Sequence, residues 1–160
     1  MLIRYARPLD VPIITQLIRE LAHYERSADQ VVATEESITL ALFSGDSHVF
    51  CHVAEVDGEI VGIAVWFLNF STWLGAPGIY LEDLYVREDA RGKGAGSALM
   101  RELARLCVER GYSRFQWWVL DWNQPSIEFY QSIGATPMDE WTVFRLSDEA
   151  LKSFAAHHGD

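Results

Sequence analysis

Hydrophobic and polar positions along the chain follow two different periods. After Asp10, apolar residues recur at helical spacing, which predicts a helix with Pro12 in its first turn. A second, shorter helix is predicted from Thr34 to near Phe43. Further on, apolar runs have strand character, and the dipeptide Asp57-Gly58 between two of them predicts a tight hairpin. The first half of the chain is therefore predicted to form two helices followed by a strand meander.

The complete order of predicted elements is β-α-α-β-β-β-α-β-α-β, with a terminal helix after the last strand. The strands are predicted at residues 2–6, 48–56, 59–70, 79–86, 113–120 and 141–146. The long helix after the fourth strand ends at Gly111, a short helix covers 125–133, and the terminal helix begins at Ser147 and fades in 157–160. Residues 71–78 are predicted to form a loop. This order predicts an α/β (α+β) fold with one mixed, mostly antiparallel sheet and helices on both faces.

Length and composition predict one soluble globular domain covering residues 1–160. Hydrophobic residues make up 49% of the 160 residues, enough for a sizeable core. No apolar stretch is long enough to cross a membrane, and the first residues lack the pattern of a secretory signal. Cys51 and Cys107 fall on apolar positions, which predicts buried thiols in a reducing compartment. We expect a cytoplasmic protein without a membrane partner.

The charge balance narrows the class of ligand. The net charge is −10, from 23 acidic and 13 basic residues, which argues against a nucleic-acid partner. An acidic protein attracts a cationic substrate, although an acidic surface that serves only solubility fits the charge equally well.

A glycine-rich turn between the fourth strand and the long helix is the main candidate for a binding site. Backbone N–H groups of such a turn, at a helix N-terminus, form an anion site suited to a pyrophosphate. The candidate residues are Arg91, Gly92, Lys93, Gly94, Ala95, Gly96 and Ser97, with Arg91 and Lys93 adding positive charge. The spacing fits neither a P-loop nor a dinucleotide fingerprint. An ordinary glycine-rich connection is the alternative.

The arrangement Arg91-x-x-Gly94-x-Gly96 after a hydrophobic strand resembles the acetyl-coenzyme-A signature of the GNAT acetyltransferase superfamily. Segments 22–25, 71–75, 80–83 and 120–130 resemble its spermidine/spermine N-acetyltransferase branch, and most closely the thialysine N-ε-acetyltransferase type. The resemblance covers essentially the whole chain. It implies a splay between the fourth and fifth strands that holds the pantetheine arm of acetyl-CoA. The implied contacts of this arm are the backbone of Leu84, Tyr85 and Val86, and the side chain of Asn123.

The resemblance also implies catalytic roles. Glu82 is the candidate base that takes the proton of the amine, with a surface carboxylate as the alternative. Tyr130 is the candidate acid that protonates the departing thiolate, and it contacts the cofactor there; the alternative is a tyrosine that only packs through its ring. A backbone N–H near Leu84 or Tyr85 polarises the carbonyl. Asp83 points to the opposite face of its strand from Glu82 unless a bulge intervenes.

The resemblance also implies an acceptor channel. Each of its candidate residues is equally consistent with packing in the core or at its rim. Aromatic walls and carboxylates suit a cationic alkyl chain. The candidates are Tyr24, Glu25, Trp73, Glu82, Asp83 and Trp141. Five scattered histidines and two lone cysteines provide no metal-ligand spacing, and no Cys-His motif favours a covalent intermediate.

The leading hypothesis is direct acetyl transfer from acetyl-CoA to a primary amine of a small cationic acceptor. In the resembling branch, enzymes that prefer polyamines tend to carry an aspartate where this chain has Ser71-Thr72-Trp73. The absence of that carboxylate favours thialysine or a similar lysine-like compound over spermidine or spermine. The alternatives are a polyamine acetyltransferase, a protein N-acetyltransferase and a non-catalytic acyl-CoA-binding module. The resemblance further implies a homodimer that pairs through the C-terminal strands.

Overall fold

The computed structural model describes residues 1–156, and the chain divides into two units between Trp118 and Val119. The first unit contains the strands β1 (Leu2–Tyr5), β2 (Val49–Val56), β3 (Glu59–Ser71), β4 (Ala76–Val86) and β5 (Phe115–Trp117). Its helices are α1 (Val11–Tyr24), α2 (Glu35–Phe43) and α3 (Ala95–Arg110), with short 3-10 turns at Pro8–Asp10, Ala28–Gln30 and Glu88–Ala90. The second unit contains the helices α4 (Gln124–Ser132) and α5 (Asp148–Ala156). The predicted fading of the last helix at 157–160 lies outside the described residues.

The sheet confirms the mixed, mostly antiparallel prediction. Its strand order is β1-β2-β3-β4-β5; the first four strands are antiparallel neighbours, and β5 runs parallel to β4. A parallel neighbour requires a crossover, which α3 supplies. The predicted loop at 71–78 is too long, because the β3–β4 ladder continues to the pair Ser71–Ala76. Only residues 72–75 are left for the turn.

Helices cover both faces of the sheet. On one face, Ile14, Leu17 and Leu21 of α1 form a cluster with Cys51, Val53, Ile63, Val65 and Tyr85, and α2 packs at its margin. Leu99 and Leu103 of α3 are fully buried, and α3 packs against β2, β3 and β4. The buried residues of each helix are three or four positions apart and so share one face. This is the spacing of apolar residues that the sequence shows.

Most turn and cap signals act as the sequence predicts. Asp57 and Gly58 both have positive φ, as a two-residue hairpin of this type requires. The N-cap Thr34 accepts a hydrogen bond from the Ser37 N–H, and Gly111 closes α3 at φ +66°. Asp10 precedes α1 but does not cap it. Its carboxylate accepts bonds from the Arg7 N–H and the Arg4 guanidinium, both at 2.7 Å, and so ties β1 to the start of the helix.

Two strand predictions near the C-terminus need correction. The strand at 113–120 is shorter, because β5 pairs with β4 only through Phe115–Trp117. The strand at 141–146 is wrong: these residues have no regular structure, and Phe144 is 91% exposed. Apolar alternation predicts which side chains share a face, but a strand forms only where its backbone groups find a ladder partner. Within residues 1–156, no helix is both long and apolar enough to cross a membrane.

Candidate active site

The edge of β4 that faces away from β3 is only partly covered. β5 pairs with Ile79–Leu81 and ends at Trp117, so β4 has no strand partner on that side beyond Leu81 among residues 1–118. The N–H of Arg87 bonds to the Val61 carbonyl of β3. Because backbone groups alternate in direction along a strand, those of Leu84 and Val86 point to the free edge. The backbone of Tyr85 faces β3 instead, and its ring lies on the α1 face.

A bulge in β4 decides where the two acidic residues of this strand point. Trp66 pairs with Leu81 and Val65 pairs with Asp83, so Glu82 is an additional residue without a partner in the ladder. The bulge reverses the alternation after it and puts Asp83 on the α1 face. Glu82 is exposed and Asp83 is half-buried. The bulge that the sequence analysis allowed for is present.

Two further carboxylates act on Asp83 at this point. Burial, together with the nearby charges of Glu82 and Glu25, raises the pKa of Asp83 to about 6. Glu25, directly after the last residue of α1, is also half-buried, and burial raises its pKa. Carboxylates that are desolvated and close together favour a bound cation, which removes their mutual repulsion. This arrangement can hold an alkylammonium group, and it is the type of perturbed cluster that marks functional sites.

The glycine turn has the geometry of an anion site. Gly92 and Gly94 have φ of +75° and +84°, and Gly94 is the N-cap of α3. The Ala98 N–H bonds to the Gly94 carbonyl, so the N–H groups of 95–97 precede the first intrahelical hydrogen bond. A Cβ at Gly94 would meet nothing within 4 Å, which leaves open space beside this backbone. Lys93 is exposed and donates from Nζ to the Asp89 carbonyl at 3.3 Å.

Arg91 lies at the start of this turn and is directed toward β4 and α1. Its Nε donates to the Val86 carbonyl at 3.0 Å. Its guanidinium carbon lies 4.7 Å from the ring centroid of Tyr24 and 5.5 Å from that of Tyr85. The turn, the end of β4 and the end of α1 therefore meet at one side chain.

A cleft of about 800 Å³ opens beside Arg91, between α1 and the connection from β4 to α3. Of its α1 wall, the sequence analysis named Tyr24 and missed the other residues. The signal was present: Gln16, Glu20 and Tyr24 recur at intervals of four, which puts polar groups on one helix edge. The lining residues are Gln16, Arg19, Glu20, His23, Tyr24, Tyr85, Arg87, Glu88, Asp89 and Arg91.

The remaining candidates are one residue of the first unit and three residues of the second. Trp73 is in the β3–β4 turn and is 90% exposed. In the second unit, Asn123 is buried at the N-cap of α4; its carbonyl accepts from the N–H groups of 126 and 127, while its side chain makes no capping bond. Tyr130 lies on α4, half-buried, with its ring 5.3 Å from that of Phe129. Trp141 is exposed in the segment without regular structure. The proposed roles of these residues stay predictions.

The buried thiol on β2 is chemically inert. Burial and the charges of Asp10 and Asp83 raise the pKa of Cys51 to about 12, so the thiol is protonated at neutral pH. Among residues 1–156, no group of three or more His, Cys, Asp and Glu side chains is arranged to hold a metal ion.

Comparisons with known proteins show the family and the fold of the chain. The model of the Acetyltransferase (GNAT) family matches residues 14–135. Thialysine N-epsilon-acetyltransferase of Sus scrofa is 38% identical over 165 residues, covering 96% of each protein. L-ornithine N5-acetyltransferase of Arabidopsis thaliana is 31% identical over 94% of this chain and 86% of its own length. Among solved structures, an integron cassette protein of V. cholerae superimposes with a TM-score of 0.82, at 27% identity and 98% coverage of both chains.

Proposed function

Because the chain belongs to the GNAT acetyltransferase family and is an N-acetyltransferase of amine acceptors, we propose that its acetyl donor is acetyl-CoA and its acceptor a small cationic amine. We propose direct transfer to a primary amine, without a covalent enzyme intermediate. The observation that carries this proposal is a cluster of three carboxylates: Glu82 and Asp83 on β4, whose free edge leads to the glycine turn, and Glu25 directly after α1. The proposed ammonium site thus lies between the end of α1 and β4, and the proposed anion site lies in the turn that follows β4.

The residues of the first unit fit acetyl-CoA. The N–H groups at the start of α3 suit its pyrophosphate, since Gly92 and Gly94 bring no side chain against the phosphate oxygens. The free-edge groups of Leu84 and Val86 suit the amides of an extended pantetheine arm, which would pair as an additional strand does. Acetyl-CoA supplies a thioester, whose carbonyl carbon is attacked by an amine. A protonated Cys51 is consistent with direct attack.

The reaction requires two proton movements. The acceptor binds as an ammonium ion and gives a proton to a carboxylate, for which Glu82 is the proposed base. The free nitrogen then attacks the carbonyl carbon, and the oxygen is stabilised by a backbone N–H of the free edge. The alternation of β4 favours Leu84 over Tyr85 for this donor. In the second proton movement, the carbon–sulfur bond breaks, the thiolate takes the proposed proton from Tyr130, and Tyr130 regains a proton from the nitrogen as the amide forms.

Removal of the Tyr130 hydroxyl tests the proposed acid. We expect Tyr130→Phe to lower kcat by about tenfold or more, because general acid catalysis contributes at least this much, and to leave acetyl-CoA affinity nearly unchanged. Tyr112→Phe is the matched control, since its hydroxyl lies beside Arg110 at the far end of α3. Steady-state kinetics and calorimetry measure the two quantities. A Tyr130→Phe enzyme with the wild-type kcat would refute the assignment.

The acceptor preference is the second test. We expect higher kcat/KM for thialysine or ornithine than for spermidine, because the channel lacks a carboxylate at Ser71 and two relatives are named for amino acid substrates. Thiol release from acetyl-CoA is measured against thialysine, ornithine, spermidine, spermine and a lysine-containing peptide, with an amine-free blank. A higher kcat/KM for spermidine would refute the proposed acceptor preference and leave the acetyltransferase assignment unaffected. Acetyl-CoA binding without thiol release for any amine favours the non-catalytic module.

The proposed partner is a second copy of the chain. Residues 141–146 present exposed apolar side chains and have no ladder partner within the described residues, which supports pairing through this segment. Trp141, Val143 and Phe144 are each more than half exposed. Apolar groups in an extended, unpaired segment are suited to an interface between chains.

A further inference from the structure

The side chain of Arg91 connects three separate elements of the first unit. Its Nε–H reaches the last carbonyl of β4, that of Val86, at 3.0 Å. Its guanidinium plane lies near two rings, Tyr24 at the end of α1 at 4.7 Å and Tyr85 on β4 at 5.5 Å. Only the guanidinium of arginine combines an Nε donor with a flat surface that stacks on aromatic rings.

The Val86 carbonyl, which accepts the hydrogen bond from Arg91, lies at the proposed cofactor site. It points to the free edge of β4, where the neighbouring strand has ended, and the short 3-10 turn Glu88–Ala90 connects this end of β4 to the glycine turn. The start of α3 packs on the same residue, since a Cβ at Gly96 would lie 3.8 Å from the Val86 Cγ2. The direction of this peptide therefore sets both the edge that would meet the pantetheine arm and the helix N-terminus that would meet the pyrophosphate.

The ring of Tyr24 is the second contact of the guanidinium. Tyr24 belongs to α1, and its neighbour Glu25 is one of the two carboxylates that act on Asp83. The contact between Arg91 and Tyr24 therefore links the cofactor turn to the helix end that carries part of the ammonium site. A cation–π contact of this kind is attractive even at an exposed site and can bias the position of a loop.

We propose that Arg91 is a positioning residue: it holds the free edge of β4 and the glycine turn in place through the Val86 carbonyl and the Tyr24 ring, and is not a charge ligand of the pyrophosphate. The inference rests on the proposed use of acetyl-CoA. It requires that acetyl-CoA affinity depends on the shape of the Arg91 side chain and on the Tyr24 ring. A phosphate ligand would require only the positive charge.

Four single variants separate shape from charge. Arg91→Lys keeps the charge and removes both the Nε donor and the stacking plane; Arg91→Gln also removes the charge. Tyr24→Leu removes the ring, and Tyr24→Phe keeps it. Acetyl-CoA affinity, measured by calorimetry without an acceptor, is expected to fall about three- to tenfold in Arg91→Lys, Arg91→Gln and Tyr24→Leu, and to stay at the wild-type value in Tyr24→Phe. In Arg91→Lys, the kinetic loss is expected in the KM for acetyl-CoA more than in kcat.

The double variant tests whether the two residues act together. Because Arg91 and Tyr24 share one contact, Arg91→Lys with Tyr24→Leu is expected to bind no more weakly than the weaker single variant. Thermal unfolding of each variant checks that the fold is retained.

Three outcomes would overturn the inference. Wild-type affinity in Arg91→Lys with a loss only in Arg91→Gln shows that charge suffices. Wild-type affinity in Tyr24→Leu shows that the ring has no part, and additive losses in the double variant show that the residues act separately. If the wild-type protein does not bind acetyl-CoA, the proposed function fails and the inference fails with it. The wild-type measurement therefore distinguishes the two failures.

Discussion

We expect Gly94→Asp to abolish measurable acetyl-CoA binding while the protein stays folded. Gly94 is the N-cap of α3 and has φ of +84°, a conformation that glycine adopts readily and an aspartate adopts at a cost of about 1 kcal/mol. The larger effect is electrostatic. A carboxylate at this position would lie where the phosphates are proposed to bind, and like charges at a helix N-terminus compete for the same N–H groups. We expect affinity to fall by about two orders of magnitude or more.

The same helix offers a matched control. Gly111 ends α3 in the same left-handed conformation, at φ +66°, and a Cβ there also meets nothing within 4 Å. Gly111→Asp introduces the same strain and the same charge at the opposite end of the helix. It is expected to lower stability at least as much, because a carboxylate is unfavourable at a helix C-terminus, and to bind acetyl-CoA as the wild type does. Calorimetric titration of both variants with acetyl-CoA measures the two affinities. Equal affinity of Gly94→Asp and Gly111→Asp would remove the glycine turn from the cofactor site.

Asp83→Asn is expected to stabilise the substrate-free protein at neutral and alkaline pH and to impair catalysis. The folded state raises the pKa of Asp83 from 3.8 to about 6, through burial and the charges of Glu82 and Glu25. A raised pKa means that the contribution of Asp83 to stability is fully present below pH 3.8 and is lost as the pH rises through about 6. Above that pH the ionised, half-buried carboxylate costs up to about 3 kcal/mol, which the neutral amide avoids.

The predicted gain in the free energy of unfolding depends on pH. The difference in the free energy of unfolding between Asp83→Asn and the wild type should be small near pH 4 and reach its full positive value near pH 8. His52, whose pKa burial lowers to about 4, titrates in both proteins and cancels in the difference. Denaturant unfolding at a series of pH values measures it. The same variant should gain stability and lose activity. We expect its kcat/KM for the acceptor to fall by about tenfold or more, because a charge partner of the ammonium is lost.

Asp89→Asn is the control for this series. Asp89 is bonded to Arg87, which lowers its pKa, so its replacement should not stabilise the protein at any pH. If Asp83→Asn has the wild-type free energy of unfolding at pH 8, the ionised Asp83 carboxylate does not destabilise the fold. If the variant has full activity, Asp83 does not contact the amine.

Much of the fold follows from local patterns that the sequence displays directly. The hairpin at Asp57-Gly58, the cap at Thr34 and the stop at Gly111 each depend on the chemistry of one or two residues and their own backbone angles. The glycine turn, the proposed anion site, is similarly local, because its glycines and the helix that follows it are consecutive. These features need no information about the rest of the chain.

The carboxylate site and the free edge were decided by tertiary structure. Alternation alone puts Glu82 and Asp83 on opposite faces, and only the pairing of Val65 and Trp66 with β4 creates the bulge that turns Asp83 toward α1. The raised pKa of Asp83 comes first from burial in the fold and then from two charges, that of its neighbour Glu82 and that of Glu25, a residue far away in sequence. The apolar segment at 141–146 was predicted as a strand and is none, since a ladder needs a partner that the segment itself does not specify. A sequence determines what one residue or one turn can do by itself, whereas the pKa of a carboxylate and the pairing of a strand depend on which distant groups the fold brings beside it.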